Sequence, residues 1–213
     1  MKHTIIECPQ GSDSPEWLMA RLGRATGSKA DVIMANGKGG SESVQRINYR
    51  YELAEQRQTG VISPIGFVND AMKWGVEHEP FARIAYEGKF GLDVIQSGFI
   101  RCDDVMAGCS LDGHSAEGGR IVGIQEIKCP MLKTHIGYLK AGVLPSEYKW
   151  QVTHNLLVTE AAWCDFISYR PGFRMFVVRC HSKDLPIEEY NNALTTFLAE
   201  VDQCEIEIRS YAA

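Results

Sequence analysis

The amino-acid sequence predicts an α/β protein, a mixed sheet flanked by helices. Three features carry that expectation. Helical periodicity dominates the N-terminal part, strand runs follow it, and then a helix, a strand pair and a closing helix complete the order. The composition is that of an ordinary globular protein, with 45% hydrophobic and 23% charged residues. At 213 residues the chain is long enough for a full core. Residues 1–213 read as a single domain without repeat, linker or low-complexity segment.

The elements follow from local chemistry. Residues 12–20 open a first helix, with Asp13 or Ser14 as cap, Pro15 at the first helical position and Glu16 after it. Trp17 and Leu18 begin its apolar side. Thr26-Gly27-Ser28 marks a second cap, ahead of a short helix over 29–34. The loop NGKGG at 36–40 lacks the GxxxxGK[ST] pattern of an NTPase phosphate loop. Residues 41–58 form a strong helix with Val44, Ile47, Tyr51 and Ala54 spaced for one face. A further helix covers 67–86, kinked at Pro80, because proline removes an interior helix bond. Strands read over 92–100 and 105–109, and a hairpin lies within 108–130. Helices cover 133–140 and 146–159, with Trp150, Leu157 and Val158 as core. Strands at 163–169 and 174–180 are joined by Arg170-Pro171-Gly172-Phe173, and a long helix over 185–208 closes the chain.

The hairpin, GCSLDGHSAEGGRIVGIQEIKCP, carries the chemistry. On a strand Glu126 and Lys128 point to one face and Ile127 to the other. A surface ion pair would be worth little. Ile124, Ile127 and Cys129 mark a partly buried strand, however, where an idle Glu-x-Lys is costly. Divalent-metal phosphodiester chemistry uses such a set. Hard oxygens hold Mg²⁺, and a lysine orients or deprotonates the attacking water. A two-residue Gly118-Gly119 turn would pair Asp112 with Gln125, on the wrong face. A three-residue loop over 118–120 pairs Asp112 with Glu126, and that register, reached by an odd-numbered loop or a bulge, is the expected one.

Other residues gain meaning only in company. Glu77 and Glu79 are two apart on one helix, so at most one faces inward. His78 belongs to no HExxH and reads as a surface residue or one behind a site. Arg21, Ser28 and Ser110 are phosphate-type donors, and converging near a helix start they would make an anion pocket. Gln151 stands on an amphipathic helix.

Totals exclude several classes. Acidic residues outnumber basic ones, 27 to 22, which argues against a general nucleic-acid-binding protein. A nuclease remains open, because metal offsets carboxylates and a basic track coexists with an acidic exterior. The seven scattered cysteines include no CxxC pair, which predicts reduced thiols, no structural zinc and a cytoplasmic location. No apolar run suits a membrane span, and the N-terminus does not read as a signal peptide.

Taken together, the segments SPEWLMARLGRATGS, KWGVEHEPFAR, AGCSLDG, QEIKCP and YKWQVTHNLLVT resemble, in order, the lambda-exonuclease-like (YqaJ-type viral recombinase) branch of the PD-(D/E)xK nucleases. The likeness runs from about residue 10 to about residue 180. It implies a restriction-endonuclease-like core with added N-terminal helices, so that 1–213 is one nuclease domain. The resemblance further implies that Asp112, Glu126, the Ile127 carbonyl and Glu79, rather than Glu77, are metal ligands. Lys128 is implied as the catalytic lysine, with Gln151 as the motif glutamine beside it. Arg21, Ser28 and Ser110 are implied as a pocket for the 5′-phosphate. Two positions depart from the pattern. Leu111 stands where the family often has proline, and Asn155 stands where RecB-type relatives place tyrosine.

The activity expected from the resemblance is Mg²⁺-dependent 5′→3′ digestion of double-stranded DNA ends. The products are 3′ single strands, and a two-metal site that accepts Mn²⁺ is implied. A homotrimeric ring around DNA and a single-strand annealing protein are the implied partners. An endonuclease on the same fold and a non-catalytic DNA-end-binding scaffold are the alternatives. A closed circular substrate separates the first, and the intact Asp112, Glu126, Lys128 set argues against the second.

Overall fold

The computed structural model describes residues 1–8, 14–62 and 69–211. Its strands divide between two four-stranded mixed sheets. The first has β1 (His3–Ile6), β2 (Ala25–Thr26), β3 (Phe99–Cys102) and β4 (Ala107–Ser110), in the order β1-β3-β4-β2. The second runs β5 (Gly113–Glu117), β6 (Arg120–Lys128), β7 (Trp163–Ser168) and β8 (Phe176–His181) in chain order. Asp112 lies between β4 and β5, where the chain passes from one sheet to the other.

Seven α-helices are described: α1 (Pro15–Arg21), α2 (Ala30–Ile33), α3 (Val44–Thr59), α4 (Asp70–Phe90), α5 (Leu132–Ala141), α6 (Lys149–Thr159) and α7 (Ile187–Arg209). Of the two candidate caps for α1, Ser14 accepts a hydrogen bond from the N–H of Trp17, with Pro15 at the first position. Asp13 lies outside the described residues, as does position 67, the expected start of the fourth helix. That helix continues unbroken through Pro80 to Phe90.

Several local expectations give way to tertiary context. Thr26 caps nothing with its side chain. Gly27–Lys29 forms a 3₁₀ turn ahead of α2, leaving Ser28 exposed. The buried side of α3 is Tyr49, Leu53, Ala54 and Gln56, while Val44 and Tyr51 face outward. The partner selects that stripe: Tyr49 stacks on Phe197 of α7 at 5.4 Å. Residues 92–98 are not a strand. Ile95 makes one bridge to His114 as the chain crosses between sheets. The strand β1 has no counterpart among the sequence expectations, and it pairs with β3.

The main core gathers Ile124 of β6, Val152, Leu156 and Val158 of α6, and Tyr190, Leu194 and Phe197 of α7. Full burial of each such side chain contributes about 1.5–3 kcal/mol. A second cluster packs Ala82 and Tyr86 of α4 against Ile127 of β6. The two faces of β6 therefore go to different helices, α6 on the Ile124 side and α4 on the Ile127 side. His154 pins α6 in place. Its Nε2 donates to the Gly108 carbonyl at 2.9 Å, and its Nδ1 accepts from the Tyr190 hydroxyl at 2.8 Å.

Candidate functional site

The β5–β6 hairpin places the carboxylates. Its turn has two residues, Gly118 and Gly119, with φ of 56° and 78°, the left-handed pair that suits a tight hairpin. This corrects the three-residue loop expected from sequence. Parity is restored lower down. Ser115 pairs with Gly123 but Ala116 with Ile121, so Val122 is an extra residue on β6. Below that bulge Gly113 pairs with Gln125. One step on, Asp112 stands opposite Glu126, as the face argument requires.

Glu126 is 2% exposed. Its Oε1 meets Lys128 Nζ at 2.5 Å and accepts from Gln151 Nε2 at 2.6 Å, while Oε2 accepts from Asn155 Nδ2 at 3.1 Å. A carboxylate this deep is tolerated only with such donors. Asp112 Oδ2 accepts from the Ile127 N–H at 2.6 Å. Glu79 shares the buried side of α4 with Ala82 and Tyr86, three and seven residues on, whereas Glu77 is exposed. Arg83, one turn further, lies 3.6 Å from Glu79 Oε1 and donates to the Asp112 carbonyl at 3.1 Å. His78 stacks on Trp74 and takes no part in this cluster.

Electrostatics join these groups. Burial, then the nearby Asp112 charge, pushes Glu79 up to about 7. Burial also pushes Glu126 up to about 7, with Asp112 adding to the rise and Lys128 opposing it. For Lys128 burial acts downward, but Glu126 and Asp112 outweigh it and raise the ammonium above its usual range. Among the described residues, no three His, Cys, Asp or Glu side chains stand at a spacing that holds an ion. The donor chemistry still suits one. Three neighbouring carboxyl groups, two of them raised to about 7 by burial and by the nearby charge of Asp112, make a hard-oxygen set that a small divalent cation would neutralise.

The three phosphate-type donors also converge. Arg21, Ser28 and Ser110 line one cavity of about 180 Å³, together with Gly27, Gln151 and Asn155. Trp17 organises it. Its Nε1–H donates to Ser110 Oγ at 2.7 Å, and the Arg21 guanidinium lies 4.2 Å over its ring. The cavity and the carboxylate cluster share a wall, because Gln151 and Asn155 line one and bond Glu126 in the other.

Sequence reasoning missed Trp17, Arg83 and the contact made by Asn155. Trp17 and Arg83 each sit one helical turn from a residue already singled out, Arg21 and Glu79. Asn155 was visible only as a departure from a pattern.

The profile of the YqaJ-like viral recombinase domain matches residues 16–162. This chain belongs to the YqaJ-like viral recombinase family. No curated protein sequence matches it. Among solved structures, the alkaline exonuclease LHK-Exo from Laribacter hongkongensis is 32% identical, with a TM-score of 0.81 over 93% of this chain and 97% of its own. A second structure of LHK-Exo, in complex with dAMP, matches equally well. A phage-related exonuclease from Haemophilus somnus 129PT, 14% identical, shares the fold with a TM-score of 0.62 over 89% of this chain and 96% of its own. The YqaJ-like chain is thus a nuclease of this family, with a mixed α/β fold.

Proposed function

We propose that this family member is a Mg²⁺-dependent exonuclease. It would digest double-stranded DNA ends 5′→3′ and leave 3′ single strands for recombination by strand annealing. The observation that carries the reading is the shared wall. A cavity of about 180 Å³ lined by Arg21, Ser28 and Ser110 lies directly beside a carboxylate–lysine cluster, and Gln151 and Asn155 belong to both. A site that grips an end next to the hydrolytic groups selects ends over interior positions. LHK-Exo, a relative of 32% identity, has been seen with dAMP, a nucleoside 5′-monophosphate of the kind such a reaction releases.

In this reading Asp112, Glu126, Glu79 and the Ile127 carbonyl would hold Mg²⁺, or Mn²⁺ in its place, in a two-ion site. Ions bound there would supply Lewis acidity at the scissile phosphate and the leaving oxygen. The remaining work is done by the chain itself. Arg21, Ser28 and Ser110 bind the 5′-phosphate, which fixes the first internucleotide bond against the cluster. Lys128, held as an ammonium between carboxylates, donates to the attacking water or to the phosphate; in that state it orients rather than deprotonates. Gln151 holds Glu126.

The same reading takes residues 1–213 as one nuclease domain, acting in the cytoplasm with a single-strand annealing protein. It also takes the active form as a homotrimeric ring around DNA. The exposed Met72, Val76, Phe81 and Ile84 on α4 offer apolar surface for a partner subunit. No helix among the described residues is long and apolar enough to cross a membrane.

The test is digestion of linear duplexes labelled at either 5′ or 3′ end, with and without Mg²⁺, beside a covalently closed circle. Early release of the 5′ label, only with Mg²⁺ and with the circle intact, is the expected result. Cutting of the circle, or release from the 3′ end first, would overturn the reading.

A further inference from the structure

The exonuclease reading uses Gln151 and leaves Asn155, one helical turn on, without a role. Asn155 is 1% exposed, in a stretch of α6 whose other buried residues include Val152, Leu156 and Val158. An aliphatic side chain would suit those three neighbours but would leave Glu126 Oε2 without the Asn155 donor. Instead the amide is divided between two neighbours. Its Nδ2 donates to Glu126 Oε2, while Lys128 and Gln151 both act on Oε1. Asn155 therefore holds the oxygen that those two leave, and two anchored oxygens fix the plane of a carboxylate where one does not. Its Oδ1 is buried and has no hydrogen-bond partner among the described residues. That oxygen lies against Gly27, where an added Cβ would come within 2.3 Å of it and 3.2 Å of the amide carbon. Turning the amide over would set Oδ1 against a carboxylate oxygen, so the observed orientation is the stable one.

We propose that Asn155 is a positioning residue for Glu126, and that Gly27, on the wall of the end-binding cavity, sets the place of its amide. The proposal rests on Glu126 as a metal ligand. It makes one buried side chain the mechanical link between the cavity that receives the DNA end and the carboxylate beside the scissile bond. Groups that orient a metal ligand in this way typically change metal affinity by about 10–100-fold when removed.

The test is Mn²⁺ binding followed by electron paramagnetic resonance, without DNA and without turnover, with thermal melting to report folding. Asn155→Leu and Asn155→Ser should each weaken Mn²⁺ binding about tenfold or more. Gly27→Ala should do the same while leaving every polar group in place, because its methyl displaces the amide. In the Asn155→Ser background Gly27→Ala should add nothing, since the atom it collides with is gone. On duplex DNA the same variants should lose kcat. Should Asn155→Leu fail to fold, the Ser and Gly27→Ala variants decide the matter. Folded variants with wild-type Mn²⁺ affinity, or additive effects of the two changes, would overturn the proposal. Wild-type protein that binds Mn²⁺ and leaves DNA ends intact would sink the exonuclease reading alone, with the Mn²⁺ series still deciding on Asn155. If Glu126→Gln leaves Mn²⁺ affinity unchanged, the metal reading falls and this proposal with it.

Discussion

The Asp112 carboxylate is tied to the backbone N–H of Ile127 at 2.6 Å, across the mouth of the β5–β6 hairpin. That bond exists only because Val122 bulges from β6 and shifts the register by one residue below it. A shift of one residue moves every side chain to the other face. Deleting Val122 should keep the Gly118-Gly119 turn and turn Asp112 away from Glu126. Mg²⁺-dependent digestion should then fall by about 10²-fold or more, as when an electrostatic group is removed from an active site. Comparing turnover with circular dichroism checks this. A folded deletion variant with near-normal activity would refute the role of the register.

Glu126 and Lys128 form a buried pair, and removing either should stop the chemistry. Glu126→Gln keeps the shape, whereas Glu126→Ala and Lys128→Ala remove the groups outright. Each should lower turnover on linear duplex by about 10²–10³-fold. Release of acid-soluble nucleotides is the measurement, and normal turnover in any folded variant contradicts the assignment.

Arg21 faces the cavity with Ser28 and Ser110. Loss of a hydrogen bond to a charged group costs about 1.5–3 kcal/mol, or roughly 10–150-fold in rate. Arg21→Ala should therefore slow digestion of 5′-phosphorylated ends by that factor and leave 5′-hydroxyl ends little changed. The readout is the ratio of rates on the two ends in both proteins. A wild-type ratio near one would remove the pocket, and an unchanged ratio in the variant would remove Arg21 from it.

His154 should make the fold sensitive to acid. Burial pushes it down to about 4, below its ordinary 6.5, so the unfolded chain binds a proton that the folded chain refuses. Stability from this group is complete above pH 6.5 and is lost as pH falls toward 4, by about 3 kcal/mol in all. His135 and His114 are lowered in the same direction. Urea midpoints of His154→Gln and of the parent at pH 7.5 and 5 are the comparison. The gap between them should shrink at pH 5, and a constant gap would contradict the assignment.

The raised carboxylates have the opposite sign. Glu79 and Glu126, both near 7, favour the ion-free fold below their unfolded values and cost it stability as pH rises through 7. A divalent cation competes with those protons, so its effect must grow with pH. The rise in Tm on adding Mg²⁺ should be larger at pH 8 than at pH 6 and should nearly vanish in Glu126→Gln. A Mg²⁺ shift that is the same at both pH values would argue against these ligands.

Much of this protein was determined by local sequence. Pro15 after Ser14 starts α1, and the order of periodic segments gives the α/β class. Alternation on β6 separates Glu126 and Lys128 from Ile127. Each of these depends on residues within a few positions of one another, where backbone geometry fixes direction. The tertiary structure decided the rest. The face that α3 buries depends on Phe197, which lies some 150 residues away in the chain. The bulge at Val122 leaves no mark in a glycine-containing turn. The choice of Glu79 over Glu77, which local spacing left open, is made by the packing of Ala82 and Tyr86 on Ile127. Asn155 was only a mismatch in a pattern until α6 brought it to Glu126. Such long-range contacts come from packing, and a single sequence read by periodicity does not encode which distant elements will meet.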